Sequence, residues 1–336
     1  MPRPTPWKAR AAAALMLAGL AGTAHAAGGW RVIDRIAGPD GGWDYLRVDD
    51  KADRVLVTRG ATVMAVDLKT RKVTPAWASG ERLHIALPLD GGTQVLLTNG
   101  GADTAVFADA ASGKALASVA TGKGPDAAGV DPKSGLVLVI DHAGGDVVLV
   151  DPKSHSRVGS IEVGGELEET AADGKGRAFV NVESRNEIAV LDVAARKVSA
   201  RWPLAGCDGP TGIAYDAEDR LVISACNGVT ALTDAGTGKV VQTLATGHGA
   251  DGVAYDPARR LAFVPAGRDG TLSVIALGHG KGRIVAVVPT RKGARTIALD
   301  QRSGRLYLPS ADYLPAAGGA RPAIKPGSFQ LLVVGR

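Results

Sequence analysis

Seven times along the chain, every 40 to 44 residues, an Asp closes a short apolar run and a second apolar run follows. The anchors are Asp49, Asp90, Asp131, Asp173, Asp216, Asp256 and Asp300. The clearest copies read GVDPKSGLVLVI (Gly129 to Ile140), AYDAEDRLVISA (Ala214 to Ala225) and AYDPARRLAFVP (Ala254 to Pro265). A period near 40 residues marks an array of supersecondary units, none able to bury its apolar face alone. Each unit reads as four strands, A to D. In the fifth, strand A is Thr211 to Tyr215, B is Arg220 to Ser224, C is Gly228 to Thr233 and D is Lys239 to Ala245. Apolar β-formers fill the runs, and Gly, Asn or Asp marks the gaps. The expected fold is all-β: a seven-bladed β-propeller with four-stranded antiparallel blades.

A ring must close. After the seventh anchor only strands B (Arg305 to Pro309) and C (Phe329 to Val334) follow. The missing strand D is expected at the other end, where WRVIDRIAG (Trp30 to Gly38) resembles the D-strand segment KVVQTLATG (Lys239 to Gly247). Residues 30–36 should therefore complete blade seven, leaving only short, protected sheet edges. Between strands C and D an Asp precedes a base by five or six residues: Asp67 and Lys72, Asp109 and Lys114, Asp151 and Arg157, Asp192 and Lys197, Asp234 and Lys239. Recurrence at equivalent positions marks these pairs as structural, the Asp capping the turn and the base pairing with it.

Residues 1–26 read as a secretory signal peptide. Arg3, Lys8 and Arg10 precede the apolar run Ala11 to Leu20, and Ala24-His25-Ala26 fits the cleavage rule. The remaining 27–336 should form one propeller domain, with no segment apolar enough to cross a membrane. Removing the three signal-peptide bases takes 39 basic residues to 36 against 34 acids, and the net charge from +5 to +2. An overall electrostatic case for nucleic-acid binding is therefore weak. The two cysteines, Cys207 and Cys226, fall in the loop entering strand A and the B-to-C loop of blade five, on one face. They are expected to form a disulfide in an exported chain, closing a loop for about 3 kcal/mol.

The repeat resembles a known family. VLVT (Val55 to Thr58), LLTN (Leu96 to Asn99) and AFVN (Ala178 to Asn181) match the Tyr-Val-Thr-Asn signature of YVTN β-propeller repeats. GGWDYLRVD (Gly41 to Asp49), RAFVNVESRNEIAVLD (Arg177 to Asp192), GCDGPTGIAYD (Gly206 to Asp216), GARTIALD (Gly293 to Asp300) and PGSFQLLVVGR (Pro326 to Arg336) extend the likeness to YncE-type propellers over about residues 30–336. The resemblance implies a seven-bladed ring exported to the periplasm. It implies little about activity. One member type is linked to single-stranded DNA binding, but this chain has no basic-aromatic stripe.

In a propeller, strand A lines the channel, and the D-to-A and B-to-C loops share one face. Loops on a rigid ring are where binding groups sit. The D-to-A loops supply Trp43, Asp44, His84, Asp126, Glu169, Asp208, His248, Asp251 and Arg295, with Arg82 and Glu168 beside them. The B-to-C loops supply Arg59, Asn99, His142, Glu183 and Asp312, the last in an insertion of about 311–327 rich in Pro and Gly. That insertion is either a partial cover over the channel or a passive loop without regular structure. His84, His142 and His248 share the funnel face and are candidate ligands for a divalent metal, though their spacing matches no compact metal motif and solvated loop histidines are the ordinary alternative.

No nucleophile elbow, phosphate loop or dense metal cluster is present. The leading expectation is a monomeric binding or interaction scaffold for a small molecule or protein, with cofactor unknown or absent. The alternatives are a lactonase or quinoprotein dehydrogenase using the funnel acids, His84 and Arg295, and DNA binding by family analogy. An enzyme should gather two or more of Asp44, His84, Glu169, Asp251 and Arg295 in one small pocket. A scaffold should spread them around the rim.

Overall fold

A computed structural model describes Met1 and residues 29–89, 91–315 and 322–336. The segment read as a signal peptide, the anchor Asp90 and the middle of the insertion lie outside the described residues.

The chain forms a seven-bladed β-propeller. Its inner strands are Leu46–Asp49, the second half of Val73–Pro88, Pro125–Val130, Leu167–Ala172, Ile213–Asp216, Ala254–Asp256 and Ala298–Leu299. Each packs against the next, and the last packs against the first. Blades three to six are separate four-stranded antiparallel sheets. Blades one and two form one seven-stranded sheet, because Val73–Pro88 serves as outer strand to one blade and inner strand to the next.

Closure follows the expected route. Arg31–Ala37 pairs antiparallel with Gln330–Gly335 and completes blade seven. Trp30 is 3 % exposed and meets Phe263 of blade six edge-on at 5.1 Å. The Arg336 guanidinium covers its other side. The first and last residues of the ring thus meet at the blade six–seven boundary.

Burial explains the sequence pattern. The second strands, such as Val137–Asp141 and Leu221–Ala225, are buried along their whole length, being sandwiched between neighbouring blades. They read as near-continuous apolar runs, interrupted only by Asp141 and Ser224 in these two. Outer strands such as Lys197–Pro203 alternate, since only one face meets a neighbour.

The described anchors cap the A-to-B turn from inside. Asp131 accepts from the backbone N–H groups of Lys133 and Ser134 and from the Ser134 hydroxyl. Asp216 accepts from Glu218 N–H and also binds Tyr255 and Arg260 of blade six. Buried carboxylates need such donors. In blade two the anchor position belongs to Leu89, whose N–H donates to Gln94 O as Asp131 N–H does to Leu136 O. Asp90 comes one residue later.

The C-to-D turns need one correction. Asp67 and Asp234 cap their own turns at Thr70 N–H and Thr237 N–H, 2.7 Å each. Among the described residues, none of the five Asp–base pairs forms an ion pair. The four Asp–Lys pairs are instead joined through the backbone, as in Asp67 N–H to Lys72 O at 3.0 Å, while Asp151 faces Ser156 rather than Arg157. The Asx cap satisfies the carboxylate locally and leaves the ammonium in water.

Cys207 and Cys226 are bonded, with Cα atoms 5.4 Å apart. In the insertion, Tyr313 pairs with Ile324, and Leu314 N–H donates to Ala323 O. Its described ends are thus short antiparallel stems, more regular than their composition suggests. Trp30→Ala should cost about 3–5 kcal/mol, read from urea unfolding. A loss below about 1 kcal/mol would remove Trp30 from the closure.

Candidate functional site

One backbone irregularity recurs at the channel mouth. In blade two, His84 and Ile85 together face the single residue Thr98. In blade three, Asp126 and Ala127 face Ile140, and in blade four Glu168 and Glu169 face Asn181. Blades one and five repeat it: Asp44 and Tyr45 share Thr58, and Thr211 and Gly212 share Ala225, through paired backbone bonds. Each is a β-bulge, which bends the strand and re-aims a side chain. In blades six and seven the facing residue is Pro265 or Pro309. Proline has no N–H to give, so the inner strand starts later there.

The bulge selects one position, five residues before each anchor position. Around the ring it carries Asp44, His84, Asp126, Glu168, Thr211, Asp251 and Arg295. All but Thr211 line one cavity of about 450 Å³, joined by Tyr45, Arg82 and His142. Four of the five groups whose convergence was to signal an enzyme, Asp44, His84, Asp251 and Arg295, therefore share a pocket.

Each ring position, or in blades four and six the residue just before it, is held by the neighbouring blade. Thr58 Oγ1 donates to His84 O at 2.7 Å, and Thr98 Oγ1 to Asp126 O at 2.6 Å. His142 Nδ1 meets Leu167 O at 2.9 Å, and Asn181 Nδ2 donates to Thr211 O at 2.9 Å. Thr211 Oγ1 donates to Ala250 O, Asp251 N–H to Arg295 O, and Thr296 Oγ1 to Asp44 O. Every junction of the ring is closed this way. Thr58, Thr98 and Asn181 are the Thr and Asn of the recurring VLVT, LLTN and AFVN runs.

The side chains form a continuous polar network. His84 Nδ1 lies 2.6 Å from Asp44 Oδ2 and 2.7 Å from Asp126 Oδ1. Facing two carboxylates, that nitrogen must carry hydrogen. The other edge of the ring sits over Gly100, where a Cβ would come within 2.9 Å of Nε2. His142 Nδ1 is 3.3 Å from Glu168 Oε1. Arg295 Nε donates to Asp251 Oδ2 at 2.6 Å, and its terminal nitrogen lies 3.6 Å from Asp44. Ligand atoms of Asp44, His84 and Asp126 lie within 4.8 Å of one another, as do those of Asp126, His142 and Glu168. Asp126 belongs to both sets.

Burial shapes the acidities. Burial works against a charged His84, but Asp126 and Asp44 outweigh it and raise the imidazolium to about 9. Glu168 bonds His142 and lifts it to about 9. Burial pushes Glu168 up to about 7, and raises Asp44 and Asp251 above the usual carboxylate range.

The other expected residues are placed elsewhere. Glu169 points down the channel and binds Arg47 of blade one at 2.7 Å, across the ring. Its carboxyl is raised by burial, against the pull of Arg47. Glu183 and Asp208 line a second polar cavity of about 510 Å³ with Asn227 and Arg268. Trp43 is buried against Phe329, because an indole on a bulge flank is driven into the core. The Arg59 guanidinium clasps the carbonyls of Pro39, Gly41 and Gly42 and stacks on Phe329. Asn99 caps the neighbouring loop at Glu81 N–H. Asp312 is paired with Arg291 at the root of the insertion. His248 stands on the rim beside Asp269, its side chain 59 % exposed, and is separate from the two carboxylate–histidine sets. Tyr45 was missed by sequence reasoning, and Glu168 was ranked below Glu169. The position shared with Asp44 and Asp126 identifies Glu168 in retrospect.

No family model and no curated protein matches the sequence. Among solved structures the chain is similar to hydrazine synthase of Kuenenia stuttgartiensis, with TM-score 0.70 and 15 % identity over 81 % of this chain and 93 % of that one. It is similar also to a chain in the crystal structure of a mitotic checkpoint complex, with TM-score 0.70 and 13 % identity over 98 % of each. Both likenesses concern the fold alone, a β-propeller.

Because His84 is protonated more readily in the folded state than its usual 6.5, its contribution to stability is whole below about pH 6.5 and is lost as pH rises through about 9. Metal-free protein should therefore melt lower at about pH 9.5 than at about pH 6, and His84→Gln should shrink that difference. Parallel wild-type and variant melting curves across the range would contradict the His84–carboxylate pairing.

Proposed function

We propose that this chain is an exported propeller of the YVTN type that binds a divalent transition-metal ion, and through it a small ligand, at the channel mouth. The observation that carries this reading is the pair of three-residue sets, Asp44–His84–Asp126 and Asp126–His142–Glu168, sharing one carboxylate. Imidazole and carboxylate donors suit Zn²⁺, Mn²⁺ or Fe²⁺, and the thiolates that would select softer ions are absent from both sets. An ion would take the place of the proton now between His84 and its two carboxylates, so affinity rises with pH. Four carboxylates, Asp44, Asp126, Glu168 and Asp251, surround a mouth with Arg82 and Arg295 as its arginines. Once metal binding has displaced the protons of His84 and His142, that balance favours a cation, and the four carboxylates oppose the phosphate backbone of single-stranded DNA. The Cys207–Cys226 disulfide supports a periplasmic location.

A lactonase-type hydrolase is the second reading. Glu168, raised to about 7 beside His142, has the acidity of a general acid or base. The convergence of Asp44, His84, Asp251 and Arg295 also favours it.

Calorimetric titration with Zn²⁺ and Mn²⁺, and elemental analysis of protein purified without chelator, test the metal. About one or two ions per chain are expected, with a melting temperature raised by mass action. His84→Ala should weaken binding at least about tenfold, while His248→Ala should leave it unchanged. Neither saturable binding nor a metal-dependent melting shift in the wild type would refute the reading.

A further inference from the structure

Beside the acidic mouth lies a third chamber, of opposite character. It has about 480 Å³, within the usual range for small-molecule sites, and lies between blades six and seven. Its walls are Gly249, Ala250, Gly267 and Gly293, and its outer side is formed by Tyr313 and Pro322 of the insertion. Those surfaces are mainly apolar. Its charges are Arg268, Lys292 and Arg295, with Asp251 as the lone acid.

The cations are not spent on one another's neighbours. Asp251 is taken by Arg295 at 2.6 Å. Asp269, next to Arg268 in the chain, accepts from His248 N–H at 2.9 Å and also faces its ring, while Arg268 shares the adjoining polar cavity with Glu183 and Asp208. Among the described residues, Arg268 and Lys292 form no ion pair. The Asp251–Arg295 pair is thus a watershed: carboxylates dominate on the side of blades one to four, cations on the side of blades six and seven.

The chamber is built rather than incidental. Gly293 has φ +87°, and a Cβ there would lie 2.8 Å from the Tyr313 hydroxyl. Tyr313 can lie flat against this wall only because the residue is glycine. Its stem is held by the Tyr313–Ile324 bridge and by Arg291, which binds Asp312 and Gln330. The insertion therefore carries an aromatic ring to the edge of the chamber and fixes it there.

We propose that this chamber binds a small organic carboxylate with an apolar, preferably aromatic, body. The carboxylate is held by Arg268 and Lys292, and the body lies between the glycine wall and Tyr313. Guanidinium and ammonium groups at the rim of an apolar chamber recognise one anionic head on an uncharged frame. Tyr313 supplies the stacking face. A carboxylate held here lies next to Arg295, whose other side reaches Asp44, so the ligand's far end can approach the metal set. The carboxylate site itself rests on the chamber alone. Only that last link rests on the metal reading above.

Titration of the full chain with 2-naphthoate, in EDTA and again with Zn²⁺, tests the assignment. Saturable binding at one site is expected in both conditions, and the neutral isostere 2-naphthalenemethanol should bind at least about tenfold more weakly. Arg268→Ala with Lys292→Ala should weaken naphthoate at least about tenfold and leave Zn²⁺ binding intact, since both residues are exposed and outside the metal sets. Tyr313→Ala should weaken naphthoate but not inorganic phosphate. His84→Ala should lose Zn²⁺ and keep naphthoate in EDTA. Equal naphthoate affinity in the wild type and the double variant, or no saturation in the wild type, overturns the carboxylate site. Loss of Zn²⁺ binding alone bears only on the metal reading.

Discussion

The ring depends on a belt of hydrogen bonds at its mouth. A blade's own ladder stops short at the mouth, because a bulge sets two inner residues against one in blades one to five and a proline takes the facing place in blades six and seven. That leaves a carbonyl in each blade that its own sheet does not use. An unpaired buried carbonyl costs about 1–3 kcal/mol, so a donor must come from somewhere, and the neighbouring blade supplies it. Thr58, Thr98, His142, Asn181, Thr211 and Thr296 do so with side chains, and Asp251 does so with its backbone N–H. The same bond therefore joins blades and fixes the residue whose side chain enters the mouth. Stability and site geometry are coupled at one atom.

This coupling explains why the repeat signature is structural while its neighbour in the chain is chemical. The Thr or Asn at the end of strand B must be a small donor, so it repeats. Most of the residues held contribute only a carbonyl to the belt, which any amino acid can do; Thr211, through its hydroxyl, and Asp251, through its N–H, are the exceptions. Its side chain is free to differ, and the seven copies carry Asp, His, Asp, Glu, Thr, Asp and Arg. Charge is then distributed by blade: acids and a histidine at five of the ring positions, and a base, Arg295, at one.

The architecture was readable from the sequence because it rests on repetition. The anchors, the strand borrowed from the N-terminus and the Cys207–Cys226 pairing each follow from a period or a face. The site was readable only as a band of loop residues. Choosing within the band requires knowing the bulge, and a bulge leaves no compositional mark. Glu168 and Glu169 differ by one residue yet face the mouth and the channel. In blade two the true anchor position holds Leu89, so counting from Asp90 puts His84 one step out of register. Arg59 and Asn99 lie in the predicted loops, but short loops leave backbone groups that need donors and acceptors, and these side chains are turned inward to meet that need. Trp43 is there for its apolar surface.

The Arg47–Glu169 bond has a consequence of its own. It joins blade one to blade four, so it spans the lumen instead of running along its wall. A bond across the lumen ties together two blades that belong to different sheets, so strain at one can reach the other without passing through the blades between them. Glu169 is neutralised by Arg47 in the same stroke, and the charge met at the mouth is left to the ring residues above it.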